Sequence, residues 1–370
     1  METVPKMLVV VKMKTKPLIC LVLLIMAVAL SSSLPLAHSG GRAWISSFSP
    51  TTKNLFDVFM VNATDGWIVG DDGTILHWDG VSWTAFPSPT TEDLRGIYMD
   101  SSTNGWAVGL NGVTIHWNGT AWESVNSGTT ENLLDVGATY LTASYYAVGH
   151  HATMLWWNET SEAWEPQTVP TTNGLRAITM FDFLIWVPYP PPGHMEIIRD
   201  GWCVGDSGTI LHWDGTWTSV SSPTIAQLNK VSRLSNNDAW AVGSSWTMLH
   251  WDGTQWSIVS TPKSGYGWFS ALYMVNSTDG WAMGYGGSIL HWDGTSWSEV
   301  ASPTTETLNS VFMVNATEGW AVGLNGVIIR WTGTEWVIPE FPTSLMLSTL
   351  LAATALITLY KTKIKRTFPR

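Results

Sequence analysis

Five histidines occupy one phrase. His77, His116, His212, His250 and His291 each precede a tryptophan at the end of a short apolar run, which reads Ile-Leu-His-Trp in three cases. Imidazole is a common metal ligand, and zinc gathers three or four such groups within about 2.0–2.3 Å. Histidines that recur once per copy of a repeat are held apart by the copies, so they read as strand residues. His150 and His151 form an adjacent pair in one turn, with no third ligand in view. No metal and no other cofactor is expected. Arg95 and Arg176 occupy the same place in two copies. Hydrolysis of an acidic glycan would need an arginine cluster to grip a carboxylate, plus an activated Tyr or carboxylate. Two arginines fall short of that cluster, so no catalytic residue is nominated and hydrolysis stands as the alternative. Asn62, Asn118, Asn158, Asn276 and Asn315 each open Asn-x-Ser/Thr, the acceptor for N-glycosylation and also good turn chemistry. With Cys20 in an expected leader, Cys203 stands alone and makes no internal disulfide.

These residues sit on a frame that repeats seven times, with copies starting near residues 51, 90, 129, 171, 224, 263 and 304. Each copy reads as an apolar strand A, a Gly-Trp-entered strand B, an apolar strand C ending His-Trp, and a short strand D. In the first copy Asp79-Gly80 is a hairpin signal and Ser88-Pro89 breaks pairing before the next copy. Twenty of the 25 tryptophans fall into three columns, one each in strands B, C and D. A residue needed identically in every copy is building the unit rather than serving one ligand. A four-stranded sheet of this size buries its faces only against neighbours. The expectation is an all-β, seven-bladed β-propeller of four-stranded antiparallel blades over residues 40–342. Residues 44–50 match a strand D, and so does the stretch from Trp336 to Phe341, which leaves one D-like strand surplus; the first is expected to pair onto the seventh blade. The fourth copy carries about fifteen extra residues within 181–199, and three successive prolines suggest an extended arm.

The frame GW-x-VG-x-x-GTILHW-DG-x-x-W resembles the blades of photosystem II stability/assembly-factor-like propellers and of BNR (sialidase-type) repeats, over about residues 43–342. The resemblance implies the propeller fold. The turn W-D-G-T-x-W departs from the usual Asp-box in lacking the Ser-x-Asp lead.

The two ends differ from this body. Residues 1–39 read as a signal peptide, with Lys6 to Lys16 before an uninterrupted apolar run at 18–30. Residues 343–370 read as a transmembrane helix with a basic tail. The uncharged run 344–360 reaches about 25 Å as a helix, and Lys361 to Arg370 place the tail in the cytoplasm. The order Pro339-Glu340-Phe341-Pro342, apolar run, basic cluster resembles the PEF-type C-terminal sorting signals of archaeal surface proteins, which implies cleavage and lipid attachment in place of a retained span. Between the ends lie nine basic and 28 acidic residues, a balance of −19 that repels nucleic acid.

In an up-and-down blade the A–B and C–D turns share one face, which carries every sequon. The B–C turns and D–A connections share the other. There Asp71, Asp72, Asn111, His150, His151, Asp206, Tyr285 and Asn325 vary between copies that otherwise agree, as a ligand-binding surface does. Arg95 and Arg176 line the channel beside it, where Phe56, Leu134, Asn229, Ser270 and Asn309 fill the same place. The reading is a monomeric, membrane-tethered, extracellular module that binds a protein or glycan without catalysis. The assembly-factor branch of the resemblance implies a second possibility, a chaperone for a membrane complex.

Overall fold

The computed structural model describes residues 43–139, 141–187 and 193–333. The expected leader at 1–39, the anchor at 343–370 and Trp336 lie outside the described residues. Among those described, seven four-stranded antiparallel sheets follow one another, as the repeat predicts.

Blade 1 shows why each copy folds as it does. Its strands are Leu55–Asn62 (A), Asp65–Gly70 (B), Ile75–Trp78 (C) and Trp83–Ala85 (D). Each is rich in β-branched and aromatic residues, and each turn has its own chemistry. At the A–B turn the Asn62 Oδ1 accepts from the Thr64 N–H at 2.8 Å and the Thr64 hydroxyl at 2.9 Å. At the C–D turn Asp79 accepts from the Val81 and Ser82 amides, both at 2.8 Å, with Gly80 at φ +90°. The B–C turn, Asp71–Gly73, is closed by the Thr74 amide donating to the Asp71 carbonyl at 3.0 Å, and Asp72 and Gly73 take φ of +51° and +68°. A Cβ on Gly73 would lie 2.0 Å from the Thr90 carbonyl oxygen, so both φ and space require glycine.

Pairing runs Phe59↔Trp67↔His77↔Thr84 across the four strands. The strand B tryptophan therefore flanks the histidine, with ring centroids 4.2 Å apart. His77 Nε2 also meets Asp65 Oδ1 at 2.9 Å, and His250–Asp238 and His291–Asp279 repeat the contact at 3.0 and 2.9 Å. Five strand C tryptophans, Trp78, Trp117, Trp251, Trp292 and Trp331, donate the indole N–H to the A–B turn, Trp78 to the Ala63 carbonyl at 3.1 Å and Trp292 to the Ser277 carbonyl at 3.0 Å. Histidine and tryptophan columns are thus parts of the blade, tying strand C to its own A–B corner.

The core is divided into seven wedges, each lying between two blades. One holds Trp67, Val69 and Ile75 of blade 1 against Leu94, Ile97, Trp117 and Trp122 of blade 2. Another holds Trp320, Val322 and Ile328 of blade 7 against Leu55, Val58 and Trp78 of blade 1, which closes the circle. Trp67 is 1% exposed and meets Trp122 edge-on at 5.5 Å. The seventh sheet is completed by the chain's own start: Trp44–Ser46 pairs with strand C of blade 7, Ile328–Trp331, with Trp44 opposite Trp331. The expected closing strand is the one observed.

The expected arm at 181–199 is corrected. Strand A of blade 4 runs Leu175–Val187 and strand B His194–Gly205, and pairing continues unbroken from Phe181↔Asp200 to Val187↔His194. The segment is a hairpin extension. Its β-branched and aromatic residues extend the ladder already begun, and Pro190, Pro191 and Pro192, which suggested an arm, fall outside the described residues.

Candidate functional site

Every blade shares one break in its A–B register, near the start of strand A. The shifts fall between Leu55/Asp57, Leu94/Gly96, Leu133/Asp135, Leu175/Ala177, Leu228/Lys230, Phe269/Ala271 and Leu308/Ser310. The extra residue of each bulge is therefore Phe56, Arg95, Leu134, Arg176, Asn229, Ser270 or Asn309. Bulges re-aim a side chain, and these seven converge on one cavity of about 410 Å³ at the axis, joined by Gln227, Ser244 and Trp268. The B–C turns and D–A connections frame it, since Asp71 N donates to the Asn54 carbonyl at 2.9 Å and Tyr285 N to the Trp268 carbonyl at 3.0 Å. The cavity is the mouth of the channel on the B–C face.

Deeper in, the channel is lined by polar groups. Lys230 of blade 5 reaches past blade 4 to Asp135 of blade 3, with Nζ 3.1 and 3.3 Å from the two carboxylate oxygens. Asp135 Oδ2 also accepts from the Ile178 amide at 3.0 Å. Burial pushes the Asp135 carboxyl up, and the Lys230 ammonium opposes that shift. The Lys230 side chain keeps 29% exposure although protein surrounds it, because it faces the water of the channel. Asp57 does similar work opposite, accepting from the Ile97 amide at 3.0 Å and the Ser310 hydroxyl at 2.6 Å. These contacts join strands A of neighbouring blades.

At the mouth each arginine already has one anionic partner. Arg95 donates to Asp93 Oδ2 at 2.8 Å and lies 3.7 Å over the Phe56 ring. Arg176 donates through Nε to Asp206 Oδ1 at 2.5 Å. A guanidinium has five N–H donors in a fixed fork, so both retain donors for a carbonyl or carboxylate in the cavity. Asp71 stands close by. Burial raises its pKa and the neighbouring Asp93 adds to the shift, while Asn54 and Arg95 oppose it.

The eight rim residues named from the sequence all fall on B–C turns but do not form one cluster. Asp206 joins Arg176, and Tyr285 joins Trp268 with rings 4.6 Å apart. Asp71 accepts from Asn54 Nδ2 at 2.6 Å, and Asp72 pairs with Lys53. Asn111 donates to Glu92 at 2.8 Å, and the Asn325 amide donates to Asn54 Oδ1 at 2.9 Å. His151 meets Glu131 at 2.7 Å, and His150 lies 3.4 Å from Asn132 Nδ2. Most of them tie a B–C turn to a neighbouring connection.

The reading from sequence missed the largest irregularity on this face. Tyr266, Trp268 and Tyr285 form a triangle with centroids 4.6–5.8 Å apart, and Tyr266 is 80% exposed. Under it lies Trp246, which takes the left-handed φ of +58° where blades 1, 2, 4, 6 and 7 have glycine. That conformation costs an ordinary residue about 1–2 kcal/mol. The D–A connection above is ten residues, 259–268, against eight between blades 1 and 2. A Cβ on Gly267 would lie 2.0 Å from the Trp246 ring, so the connection is folded down onto it. Two signals were present in the sequence: a tryptophan where the turn wants glycine, and a copy two residues too long.

The sequons lie in A–B and C–D turns on the opposite face. Asn276 and Asn315 repeat the Asn62 turn, each accepting at 2.8 Å from the amide two residues on. Asp252 and Asp293 do the same where aspartate replaces asparagine, also at 2.8 Å. Turn formation accounts for these residues.

A seven-bladed propeller whose channel mouth is lined by arginine and aromatic side chains is the class this geometry defines. No family model matches the chain, and no curated protein matches it in sequence. Solved structures do. The chain is similar to YCF48 bound to D1 peptide, at 15% identity over 81% of this chain and 99% of that one, with a TM-score of 0.62. YCF48 from Cyanidioschyzon merolae matches at 16% identity over 78% and 99%, with a TM-score of 0.60. U3-55K matches at 9% identity over 79% and 100%, with a TM-score of 0.64. At such identities the likeness establishes the fold.

Proposed function

We propose that the protein is a non-enzymatic interaction module, held at the outer surface of a membrane by its C-terminal segment, that grips an extended segment of a protein partner across the channel mouth. One observation carries the reading. The residues around the mouth repeat seven times, yet the seven bulge positions aimed into it differ, with two arginines on one side and Asn229, Ser270 and Asn309 on the other. Repetition there would build a blade; variation there suits a ligand without sevenfold symmetry. The spare donors of Arg95 and Arg176 match backbone carbonyls or a carboxylate, and Trp268 offers a large apolar contact beside them. The solved complex of YCF48, a propeller of the same fold, holds a peptide.

The test is a crosslinking pull-down from intact cells with the natural chain and an Arg176→Ala/Trp268→Ala variant. A charged hydrogen bond is worth about 1.5–3 kcal/mol, so the double change should lower partner recovery by tenfold or more. Equal recovery by a folded variant rejects the mouth as the binding site. Recovery of membrane-complex subunits favours the assembly-factor reading of the same site. Turnover of a chromogenic glycoside that is lost in Arg95→Ala would replace both with a hydrolase.

A further inference from the structure

The hairpin of blade 4 carries an apolar surface that the binding module does not use. In blade 1 the A–B ladder ends at Asn62↔Asp65. In blade 4 the matching pair is Phe181↔Asp200, and the ladder runs on for six further pairs, from Asp182↔Arg199 to Val187↔His194. At about 3.4 Å per residue the extension projects roughly 20 Å from the A–B face. Cross-strand partners share a side of the ladder, so Leu184, Ile197, Trp186 and Met195 form one continuous apolar side. They are 50%, 44%, 60% and 51% exposed. The other side is also mainly apolar, with Phe183, Ile185 and Ile198. Beyond Asp182 and Arg199, His194 and Glu196 are the polar side chains among the described residues of the hairpin. A free two-stranded ladder is marginal in water, and an apolar patch of this kind marks a contact surface.

The base of the hairpin is anchored on both sides, which sets its direction. Asp182 is 2% exposed and accepts from the Leu141 and Thr142 amides of blade 3 at 2.6 and 2.9 Å. From blade 5, Arg233 Nε pairs with Asp200 at 3.1 Å, and its guanidinium lies 4.6 Å from the Phe181 ring centroid.

The chain leaves the propeller on this same face. Trp331 ends strand C of blade 7 and donates to the Ala316 carbonyl of the A–B turn at 3.1 Å. A Cβ on Gly333 would lie 2.7 Å from Thr317 Cβ of that turn. Ten residues, 334–343, then lead to the uncharged apolar run 344–360, and ten residues span at most about 35 Å. Blades 4 and 7 are three steps apart in a ring of seven, almost opposite.

We propose that the blade 4 hairpin is a second membrane contact, seating Leu184, Trp186, Met195 and Ile197 in the interfacial layer of the bilayer that the C-terminal run enters. This rests on the reading of that run as an anchor. Two contacts on nearly opposite sides of one face hold the ring flat to the membrane and turn the channel mouth outward. A tryptophan close to the end of an apolar hairpin suits the boundary between headgroups and acyl chains.

The test uses the full chain with Cys20→Ser, reconstituted with phosphatidylcholine vesicles. An environment-sensitive NBD label is placed at His194→Cys, next to Met195 at the outer end of the described ladder, or at Ile225→Cys on the mouth face, where Ile225 is 89% exposed. The label at 194 should shift to the blue and lose iodide quenching on vesicles, while that at 225 changes in neither respect. A Leu184→Asp/Trp186→Asp variant should abolish the change at 194 yet still float with vesicles through its C-terminal run. Its thermal midpoint, unchanged if the propeller is intact, separates this from misfolding. Flotation with the 194 label still quenched overturns the hairpin contact and leaves the anchor standing. Absence of flotation overturns both. Protection at 194 without vesicles, rising with protein concentration, would show that a second copy covers the hairpin and also overturns the proposal.

Discussion

At the scale of single residues, the side chains that looked most chemical from sequence are largely engaged in structure. Four of the column histidines pair with the acid near the start of strand B, His116 meets Asn104 there, and each lies against the strand B tryptophan. The C–D turns give the sharpest residue-level prediction. Asp293 accepts from the Thr295 hydroxyl at 2.7 Å and from the Ser296 and Thr295 amides, both at 2.8 Å. These bonds, that of Thr295 foremost, hold its carboxyl down at about 2, and Asp252 is likewise held at about 2 by Thr254. A carboxylate with its pKa depressed on folding favours the folded state above its ordinary value near 3.8, and that contribution fades as pH falls toward 2. Carboxyl carbon shifts should therefore titrate near pH 2 at both positions, and Thr295→Ala should raise the Asp293 midpoint. A midpoint near 3.8 in the natural chain would mean the turn does not hold. The hydroxyl bonds were readable from Asp-Gly-Thr. The Arg176–Asp206 pair was not, because 30 residues separate its members and only the bulge and the B–C turn bring them together.

At the scale of elements, the tryptophan columns join blade to blade. Trp281 of blade 6 is 2% exposed and lies 4.6 Å from Trp331 and 5.4 Å from Trp44, both in the seventh sheet. Trp281→Ala leaves a void that neither neighbour can fill, and should cost about 3–5 kcal/mol in denaturant unfolding. His291→Gln, which replaces a partly exposed imidazole lying 4.4 Å from the same ring, should cost about 1 kcal/mol. Equal effects would contradict the assignment of the columns to the joint. The columns were legible because they recur in every copy. The bulges were not, since a register slip of one residue leaves no mark on an apolar pattern until both strands are paired.

At the scale of the molecule, the circle is closed by three residues from the chain's start. Trp44–Ser46 covers the edge of strand C in blade 7, and the Ser47 amide donates to the Ile328 carbonyl at 2.8 Å. Deleting residues 43–47 exposes that edge and removes a tryptophan that is 3% exposed. Hydrogen exchange should then rise in blade 7, and in the part of blade 6 facing it, before blades 2 and 3. Uniform protection across all seven blades would show that closure does not depend on the strand.

Sequence alone determined the number of blades, the strand order and the three tryptophan columns, and it narrowed the strand that closes the circle to two candidates. Each follows from local periodicity repeated seven times, and repetition makes a weak local signal strong. Only the tertiary structure decided what the departures from the repeat do. It paired residues 181–187 with 194–200 as a hairpin, placed Tyr266, Trp268 and Tyr285 over Trp246, and set Lys230 against Asp135 across 95 positions. Those contacts depend on how blades are angled about an axis, and that geometry appears only when the ring has closed.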